Sequence, residues 1–331
     1  MKTSKSFKPE NKDQLQHLIR SKIVNLSDID TSLITDMSSL FEGEKRDSWA
    51  GIETWDVSNV TDMSKIFAHS NFNGDISKWD VLNVRKMSCM FLNCSFNGDI
   101  SKWKVRNVFD MSWMFANSEF NGDISKWDVY FVIMMNKMFY NSKFNRDISK
   151  WSVNHARDMR SMFERSVFNQ DISKWNVRNV EFMDKMFQRS KFNGDISKWD
   201  VSKVEQMIAM FDGSEFNKDI SKWNVSKVTN MNQMFTDSKF NQDISKWNVS
   251  NVRKFKSIFK NCPIKSKFKP KFNTLMKKII DFLKKIFDIY IIKTYNKNIE
   301  WITGQQDNRR TYHEIWRKPN ICWQLREKRF R

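Results

Sequence analysis

The sequence predicts a repeat solenoid with a helical cap at each end. One 24-residue unit recurs without a gap, and its apolar positions keep fixed places inside every copy. The unit reads Phe-Asn-x-Asp-Ile-Ser-Lys-Trp-x-Val-x-x-Val-x-x-Met-x-x-Met-Phe. A fixed period of this length indicates stacked coils, each of which buries its apolar side only against its neighbours. The copies start at Phe72, Phe96, Phe120, Phe144, Phe168, Phe192, Phe216 and Phe240.

Each coil is predicted to hold a short parallel β-strand followed by one short helical or 3₁₀ turn. Ser-Lys-Trp-x-Val alternates between polar and apolar residues, which favours a strand whose Trp and Val face the core. The following Val, Met and Met-Phe lie three residues apart, which suits a helical or 3₁₀ turn. Stacking would then align the Phe, Ile, Trp and Met positions into continuous core columns. The Asn of each unit is expected to hydrogen-bond the backbone across coils.

The N-terminal part is predicted to cap the stack. Residues 1–28 form a lead with a short helix, because Leu15, Leu18 and Ile19 recur at helical spacing. The solenoid is predicted over residues 29–262, and its first copy departs from the consensus, as terminal repeats usually do.

Residues 263–331 are predicted to form a basic tail. This stretch has 18 Lys/Arg and 6 Asp/Glu, which contributes +12 to the net charge of +19. An amphipathic helix is expected at about residues 274–292. It is interpreted either as a cap over the last coil or as a helix lying on an anionic membrane. The residues predicted to contact a membrane or another anion are Lys277, Lys278, Lys284 and Lys285.

The repeat resembles a known family. The run from Trp55 to Phe67, together with Phe72 to Trp79, is similar to the BspA-like leucine-rich-repeat surface proteins of bacteria and some protists. Over roughly residues 29–262, the resemblance implies a leucine-rich-repeat-like solenoid with an adhesion or protein-binding role. It also implies a cell-surface location. A cytoplasmic location is favoured instead by an N-terminal sequence without the apolar segment of a signal peptide and by the lack of an 18-residue apolar stretch.

Nothing repeated in the sequence indicates catalysis. The four histidines are scattered, and no Walker loop, GxSxG, HExxH or zinc-binding spacing occurs. We therefore expect a non-enzymatic protein without a cofactor or a metal. The recurring Asp is expected to support turns rather than bind calcium, which needs several oxygen ligands around one point. The recurring Lys is expected to form either a solvated face or an anion-binding face.

A binding site is predicted where the copies differ. Positions after the Trp-x-Val run are mostly polar, as at Ser202 and Lys203, but become apolar around the third copy. Apolar residues at normally polar positions indicate either an exposed partner-binding patch or local sequence drift, in which these side chains fold over the edge of the coil. The predicted partner-binding residues are Phe109, Trp113, Tyr130, Phe131, Ile133 and Phe182.

The predicted function is therefore protein–protein interaction or adhesion with an unidentified protein partner. The alternative is a peripheral membrane or nucleic-acid-associated scaffold that acts through the basic tail. Nucleic-acid binding is the less favoured part of that alternative, because no recognised nucleic-acid-binding motif accompanies the basic residues. The oligomeric state stays open.

Overall fold

The computed structural model describes residues 6–273. They belong to a compact unit, Met1–Asn273, and a second unit, Thr274–Arg331, lies outside the described residues. The helix predicted at about residues 274–292, with Lys277, Lys278, Lys284 and Lys285, therefore also lies outside them. The helices of the described part are α1 (Lys12–Ser21) and three single 3₁₀ turns, Leu26–Asp28, Ile52–Thr54 and Ser266–Phe268.

Helix α1 lies where a short N-terminal helix is expected. The Asn11 side chain caps it by accepting the N–H of Gln14 at 3.1 Å. The helix ends at Lys22, which has a left-handed φ of 54°. Leu15 and Ile19 are buried and belong to the same apolar core as the repeats. Helix α1 therefore covers the first end of that core.

The strands predicted in each unit are absent from the described residues. Successive units share only isolated parallel bridges, with one residue contributed by each unit. The three 3₁₀ turns also do not recur once per unit. The predicted leucine-rich-repeat-like fold, with parallel strands and a helical turn in each coil, is therefore wrong. The bridging residues are Asp36, Asp62, Lys86, Asp110, Met134, Asp158, Phe182, Gln206, Asn230 and Lys254.

Each unit is instead a succession of β-turns. In the copy that starts at Phe72, the N–H of Trp79 donates to the carbonyl of Ile76 at 3.1 Å. The same hydrogen bond to the residue three positions earlier recurs twice. The N–H of Val84 donates to Val81 at 3.0 Å, and the N–H of Met90 donates to Met87 at 3.2 Å. A β-turn brings its first and fourth residues together. Both apolar ends of each turn therefore face the core, and the two residues between them form a corner.

Left-handed residues explain why the Met-x-x-Met-Phe segment is not the predicted helical or 3₁₀ turn. Cys89 has a φ of 57° and Asn93 a φ of 51°, and each is the third residue of a hydrogen-bonded turn. A positive φ at that place is typical of a type II turn and does not occur in a right-handed α- or 3₁₀-helix. The position of Asn93 within the unit is most often Asn, which tolerates left-handed dihedrals. In order along the chain it holds His69, Asn93, Asn117, Asn141, Arg165, Arg189, Gly213, Asp237 and Asn261.

Backbone hydrogen bonds hold neighbouring units in register. The N–H of Met87 donates to Asp110 at 2.9 Å, and the N–H of Cys89 donates to Ser112 at 2.8 Å. The N–H of Phe91 continues this series to Met114 at 2.9 Å. Alternate N–H groups thus bind the next unit, while those between them close turns within their own unit. Both sets of buried donors are satisfied without a sheet.

The Trp residues face the core, as expected. Trp127 donates its indole N–H to the carbonyl of Ile100 at 3.0 Å, and Trp151 donates to Ile124 at 3.0 Å. The rings of Trp127 and Trp151 lie parallel, with centroids 6.5 Å apart. Each indole therefore combines buried apolar surface with a hydrogen bond to the preceding unit.

The Asn and Asp columns organise the turns. The side-chain carbonyl of Asn97 accepts the backbone N–H of Asn121 at 2.9 Å, which confirms the predicted bonding between units. Within a unit, Asp123 accepts the N–H of Ser125 at 2.9 Å. This backbone hydrogen bond lowers the pKa of Asp123, with the charge of Lys126 as a smaller cause. The structural role predicted for the Asp column is confirmed.

A short C-terminal segment covers the last unit. The N–H of Ile244 donates to the carbonyl of Phe268 at 3.0 Å. The ring of Phe272 stacks on Phe255, with centroids 4.5 Å apart. Ile264 is buried in the common core. The chain therefore crosses the end of the stack before the described part ends.

We expect Trp151→Phe to destabilise the protein. Phenylalanine keeps an aromatic ring but cannot donate to Ile124, whose carbonyl then keeps only the bond from the N–H of Trp127. The lost hydrogen bond and the smaller buried ring should together lower the free energy of unfolding by about 1–3 kcal/mol. Urea denaturation monitored by circular dichroism measures the change. Trp113→Phe is the control, because Trp113 is only half-buried, and an equal loss in both variants would contradict this role of the indole bond.

We expect the protein to lose stability in acid. The pKa values of Asp99, Asp123 and Asp147 are lowered in the folded state, chiefly by backbone N–H groups. Their stabilisation is therefore present above the unfolded-state pKa of about 3.9 and is lost as the pH falls through the folded-state values. Urea midpoints measured from pH 6 to pH 2.5 should fall accordingly.

Replacing all three residues by Asn provides the matched control. An Asn at the start of another turn makes the same bond, since Asn224 accepts the N–H of Ser226 at 3.1 Å. The triple variant should show a shallower fall of the urea midpoint with pH. An unchanged slope would show that these carboxylates do not cause the acid sensitivity.

Candidate functional site

One face of the stack carries the residues that differ most between units. Each Val-x-x-Val turn exposes two corner residues, and two more residues follow before the first Met. Most units place polar residues at these four positions. In the copy that starts at Phe120 all four are apolar: Tyr130, Phe131, Ile133 and Met134.

These four residues join Phe109 of the preceding unit, whose carbonyl accepts the N–H groups of Ile133 and Met134, and we call these five residues the Tyr130 patch. Its members keep between 36% and 42% of their surface exposed. They are therefore not folded under the edge of the unit, as the alternative of simple drift would require. The Tyr130 patch consists of Phe109, Tyr130, Phe131, Ile133 and Met134.

The backbone under the Tyr130 patch is the same as elsewhere. The N–H groups of Ile133 and Met134 both donate to the carbonyl of Phe109, at 2.9 and 3.1 Å. The N–H of Tyr130 donates to the Asp128 carboxylate at 3.2 Å, as in the turns of the polar units. The repeat thus holds these side chains on a fixed frame, and only their chemistry departs from the other copies.

Phe131 replaces a residue type that stabilises other units. At the equivalent position, Asn107 donates its amide to the carbonyl of Leu82 at 2.9 Å. Phe131 has no donor, so the Arg106 carbonyl lacks this side-chain bond. The Phe131 ring instead makes a T-shaped contact with Tyr130 at 5.0 Å and lies 5.8 Å from the Arg106 guanidinium. An aromatic cluster has therefore replaced a structural hydrogen bond.

Two shallow grooves flank the Tyr130 patch. The first encloses about 500 Å³ and is lined by Asn59, Thr61, Asn83, Arg85, Asn107, Phe109 and Phe131. The second encloses about 460 Å³ and is lined by Leu82, Ser101, Lys102, Trp103, Lys104, Val105, Arg106, Lys126 and Asp128. The first groove is mainly amide and aromatic, whereas the second contains four cationic side chains. The Tyr130 patch therefore separates two chemically different surfaces.

The structure does not bring all six predicted partner-binding residues together. Trp113 occupies the left-handed position of another turn, with the Lys137 ammonium 3.9 Å from its ring centroid. Burial lowers the pKa of Lys137. Phe182 is in the same column as Met134 but two units away, and it lies 5.1 Å from the Arg160 guanidinium. Only Phe109, Tyr130, Phe131 and Ile133 lie in the Tyr130 patch.

Sequence reasoning missed Leu82, Met134 and the adjacent cations. Met134 stands where neighbouring units have Asp110 and Asp158, and a comparison of that single column would have found it. Leu82 stands where later units have Ser, for example Ser226. Three cations of the second groove, Lys102, Lys104 and Arg106, are alternate residues of one unit. Sequence analysis did not single them out, because Lys102 belongs to the Lys that recurs in every unit.

The recurring lysines themselves are exposed. Within residues 6–273 they take part in none of the ion pairs, which join other residues. In the same range, no group of three His, Cys, Asp or Glu side chains is arranged to hold a metal ion. Of the helices in this part, none is long and apolar enough to cross a membrane.

One family model matches the repeat region. The family model described as "Mycoplasma protein of unknown function, DUF285" matches residues 12–121, 110–215, 165–275 and 188–300. The chain belongs to this family. The overlapping matches support the tandem repeat, and the family description assigns no activity. Neither a curated protein nor a solved structure matches the chain.

We expect Phe131→Asn to leave the protein at least as stable as the wild type. The new amide can donate to the Arg106 carbonyl, as Asn107 does to Leu82. The free energy of unfolding should therefore stay within about 0.5 kcal/mol of the wild type or rise. Urea denaturation measures it. A loss of about 2 kcal/mol or more would show that Phe131 is a core residue rather than a surface residue.

Proposed function

We propose that this protein is a non-enzymatic binding module that contacts a protein partner through the Tyr130 patch. The observation that carries the proposal is the replacement of all four exposed polar positions by apolar residues in one unit. Those residues are Tyr130, Phe131, Ile133 and Met134. A contiguous apolar area on a polar, basic chain is typical of a partner site.

Folding does not account for these residues. Other units close the same turns with Ser202, Lys203, Glu205 and Gln206, so the fold does not need apolar side chains there. The hydrophobic effect favours removing such surface from water by about 25 cal/mol per Å². A partner can bury this surface, whereas the monomer leaves it exposed. Tyr130 and Phe131 also have few rotatable bonds, which makes them suited to interfaces.

The repeat's resemblance to the BspA-like surface proteins agrees with an adhesion-type role. It is carried by the run from Trp55 to Phe67 and its continuation from Phe72 to Trp79. A cell-surface location, and the partner that such a location would supply, form part of this proposal.

The test replaces the Tyr130 patch by residues found at the same positions in other units. The variant Tyr130→Ser, Phe131→Asn, Ile133→Thr copies Ser226, Asn251 and Thr229. Partners captured from extracts of the producing organism are quantified by mass spectrometry. We expect at least a tenfold loss of specific partners, because apolar contacts of about 1–3 kcal/mol each are removed.

The matched control changes the same positions in a polar unit. It carries Ser202→Asn, Lys203→Asn and Glu205→Thr, which are also residue types found in these columns, and it should retain the partners. Both variants must keep the wild-type unfolding midpoint. Equal capture by the wild type and the patch variant would refute the proposal.

A second candidate function acts through the tail. In the helix predicted over residues 274–292, Lys277, Lys278, Lys284 and Lys285 would lie opposite apolar residues, which favours an anionic surface. Flotation of the whole protein with equimolar phosphatidylcholine and phosphatidylglycerol vesicles tests it. Binding that is lost when the four lysines are changed to Gln, and that falls steeply with salt, would favour this function.

A further inference from the structure

We propose that the partner segment bound at the Tyr130 patch carries carboxylates, which bind the adjacent cationic groove. This inference rests on the proposed function and specifies the partner's chemistry. The cationic groove is the second groove described above, and its charged lining residues are Lys102, Lys104, Arg106, Lys126 and Asp128.

Two of its cations depart from the repeat. The column of Lys104 holds Asp80 and Asp128 in the flanking units and mostly Asn or Asp elsewhere. An Asp there accepts a turn N–H, as Asp80 does from Leu82 at 3.1 Å, and Lys104 cannot. Arg106 stands in a column that is Ser in several units. The Phe96 copy has thus replaced a turn-stabilising acceptor by a cation beside the apolar patch.

Internal ion pairs do not neutralise the groove. Asp128 is 3.7 Å from Arg106, and both side chains stay largely exposed. In the described part of the chain, Lys102, Lys104 and Lys126 form no ion pair. One lining carboxylate therefore faces four cations. Three carboxylates outside the lining reduce this excess: Asp80 is next to Lys104 in its column, and Asp99 and Asp123 interact with the charges of Lys102 and Lys126. The cationic character of the groove therefore rests mainly on Lys104 and Arg106. Such a surface favours an anionic group.

The cationic groove and the Tyr130 patch form one continuous surface. The Arg106 guanidinium lines the groove and lies 5.8 Å from the Phe131 ring of the patch. A ligand that contacts Phe131 is therefore also close to the Arg106 guanidinium. The groove volume of about 460 Å³ admits side chains but not a folded element. The occupant that fits is an extended peptide segment with Asp or Glu beside an aromatic or aliphatic residue.

The chain's own tail is a poor occupant. Residues 263–331 carry a net charge of +12, so they would be repelled from the cationic groove. A nucleic acid would satisfy the cations but would leave Ile133 and Met134 without an apolar partner. The charge and the apolar surface together therefore favour an acidic peptide.

The test selects a displayed library of random 12-residue peptides on the whole protein. Peptides are first depleted on the Tyr130→Ser, Phe131→Asn, Ile133→Thr variant, and the retained pool is sequenced. We expect enrichment of Asp or Glu together with aromatic or aliphatic residues. A selected peptide is then synthesised, and its affinity is measured by fluorescence anisotropy at two salt concentrations.

The decisive variant is Lys104→Asp. It copies Asp80 and Asp128, so the turn can gain the acceptor that its neighbours have. We expect affinity for the selected peptide to fall at least tenfold, whereas Lys222→Asp, with the same charge change on a distant unit, should leave it unchanged. Higher salt should weaken wild-type binding more than Lys104→Asp binding.

Other outcomes separate the two proposals. Apolar peptides without acidic residues that bind wild type and Lys104→Asp equally would refute the carboxylate preference while keeping the patch as a binding site. No enrichment over the depleted variant would overturn both proposals. A 20-nucleotide oligo-dT that binds more tightly than the selected peptide and loses affinity in Lys104→Asp would assign the groove to nucleic acid instead and overturn the inference.

Discussion

The architecture depends on the alternation of backbone hydrogen bonds within and between units. In each Met-x-x-Met-Phe segment, one N–H closes a turn in its own unit and the next donates to the following unit. Met90 bonds to Met87, whereas Phe91 bonds to Met114. The side-chain columns select one register for this pattern, because a shifted pairing would move Met and Phe away from their buried positions. The Trp-to-Ile bonds impose the same register from inside the core.

With the register fixed, substitutions in successive units combine into one surface. Because each unit lies directly on the last, Phe109 and Ile133 become neighbours although they are 24 residues apart. An apolar substitution in one copy therefore enlarges the apolar surface that a substitution in the next copy creates. The unit supplies a rigid frame whose corner residues are free to vary, since the turn bonds come from the backbone and from Asp or Asn side chains. Recognition can thus evolve at these corners with little cost to folding.

The Tyr130 patch and the cationic groove share one physical feature. In both, residues that make a stabilising hydrogen bond elsewhere have been given up: an Asn that bonds the preceding unit at Phe131, and an Asp or Asn that bonds within its own turn at Lys104. Asn107 and Asp80 show what those bonds contribute in neighbouring units. Proteins commonly relinquish local stability at sites selected for another property. The two departures occur in adjacent units, which favours one composite surface over two unrelated changes.

The period and the burial of each position follow from the amino-acid sequence alone. Phe, Ile, Trp, Val and Met at fixed places identify the core columns, and the odd residues Phe109, Tyr130, Phe131 and Ile133 identify most of the exposed patch. The backbone path, by contrast, became known only from the three-dimensional fold. Apolar residues three apart suit a helical turn and a chain of β-turns equally well. The choice depends on left-handed dihedrals at residues such as Cys89 and Trp113. Cys and Trp are not residue types from which this conformation can be predicted. The groove likewise needed the fold, because Leu82, Arg106 and Lys126 come from three different units and meet only when those units stack.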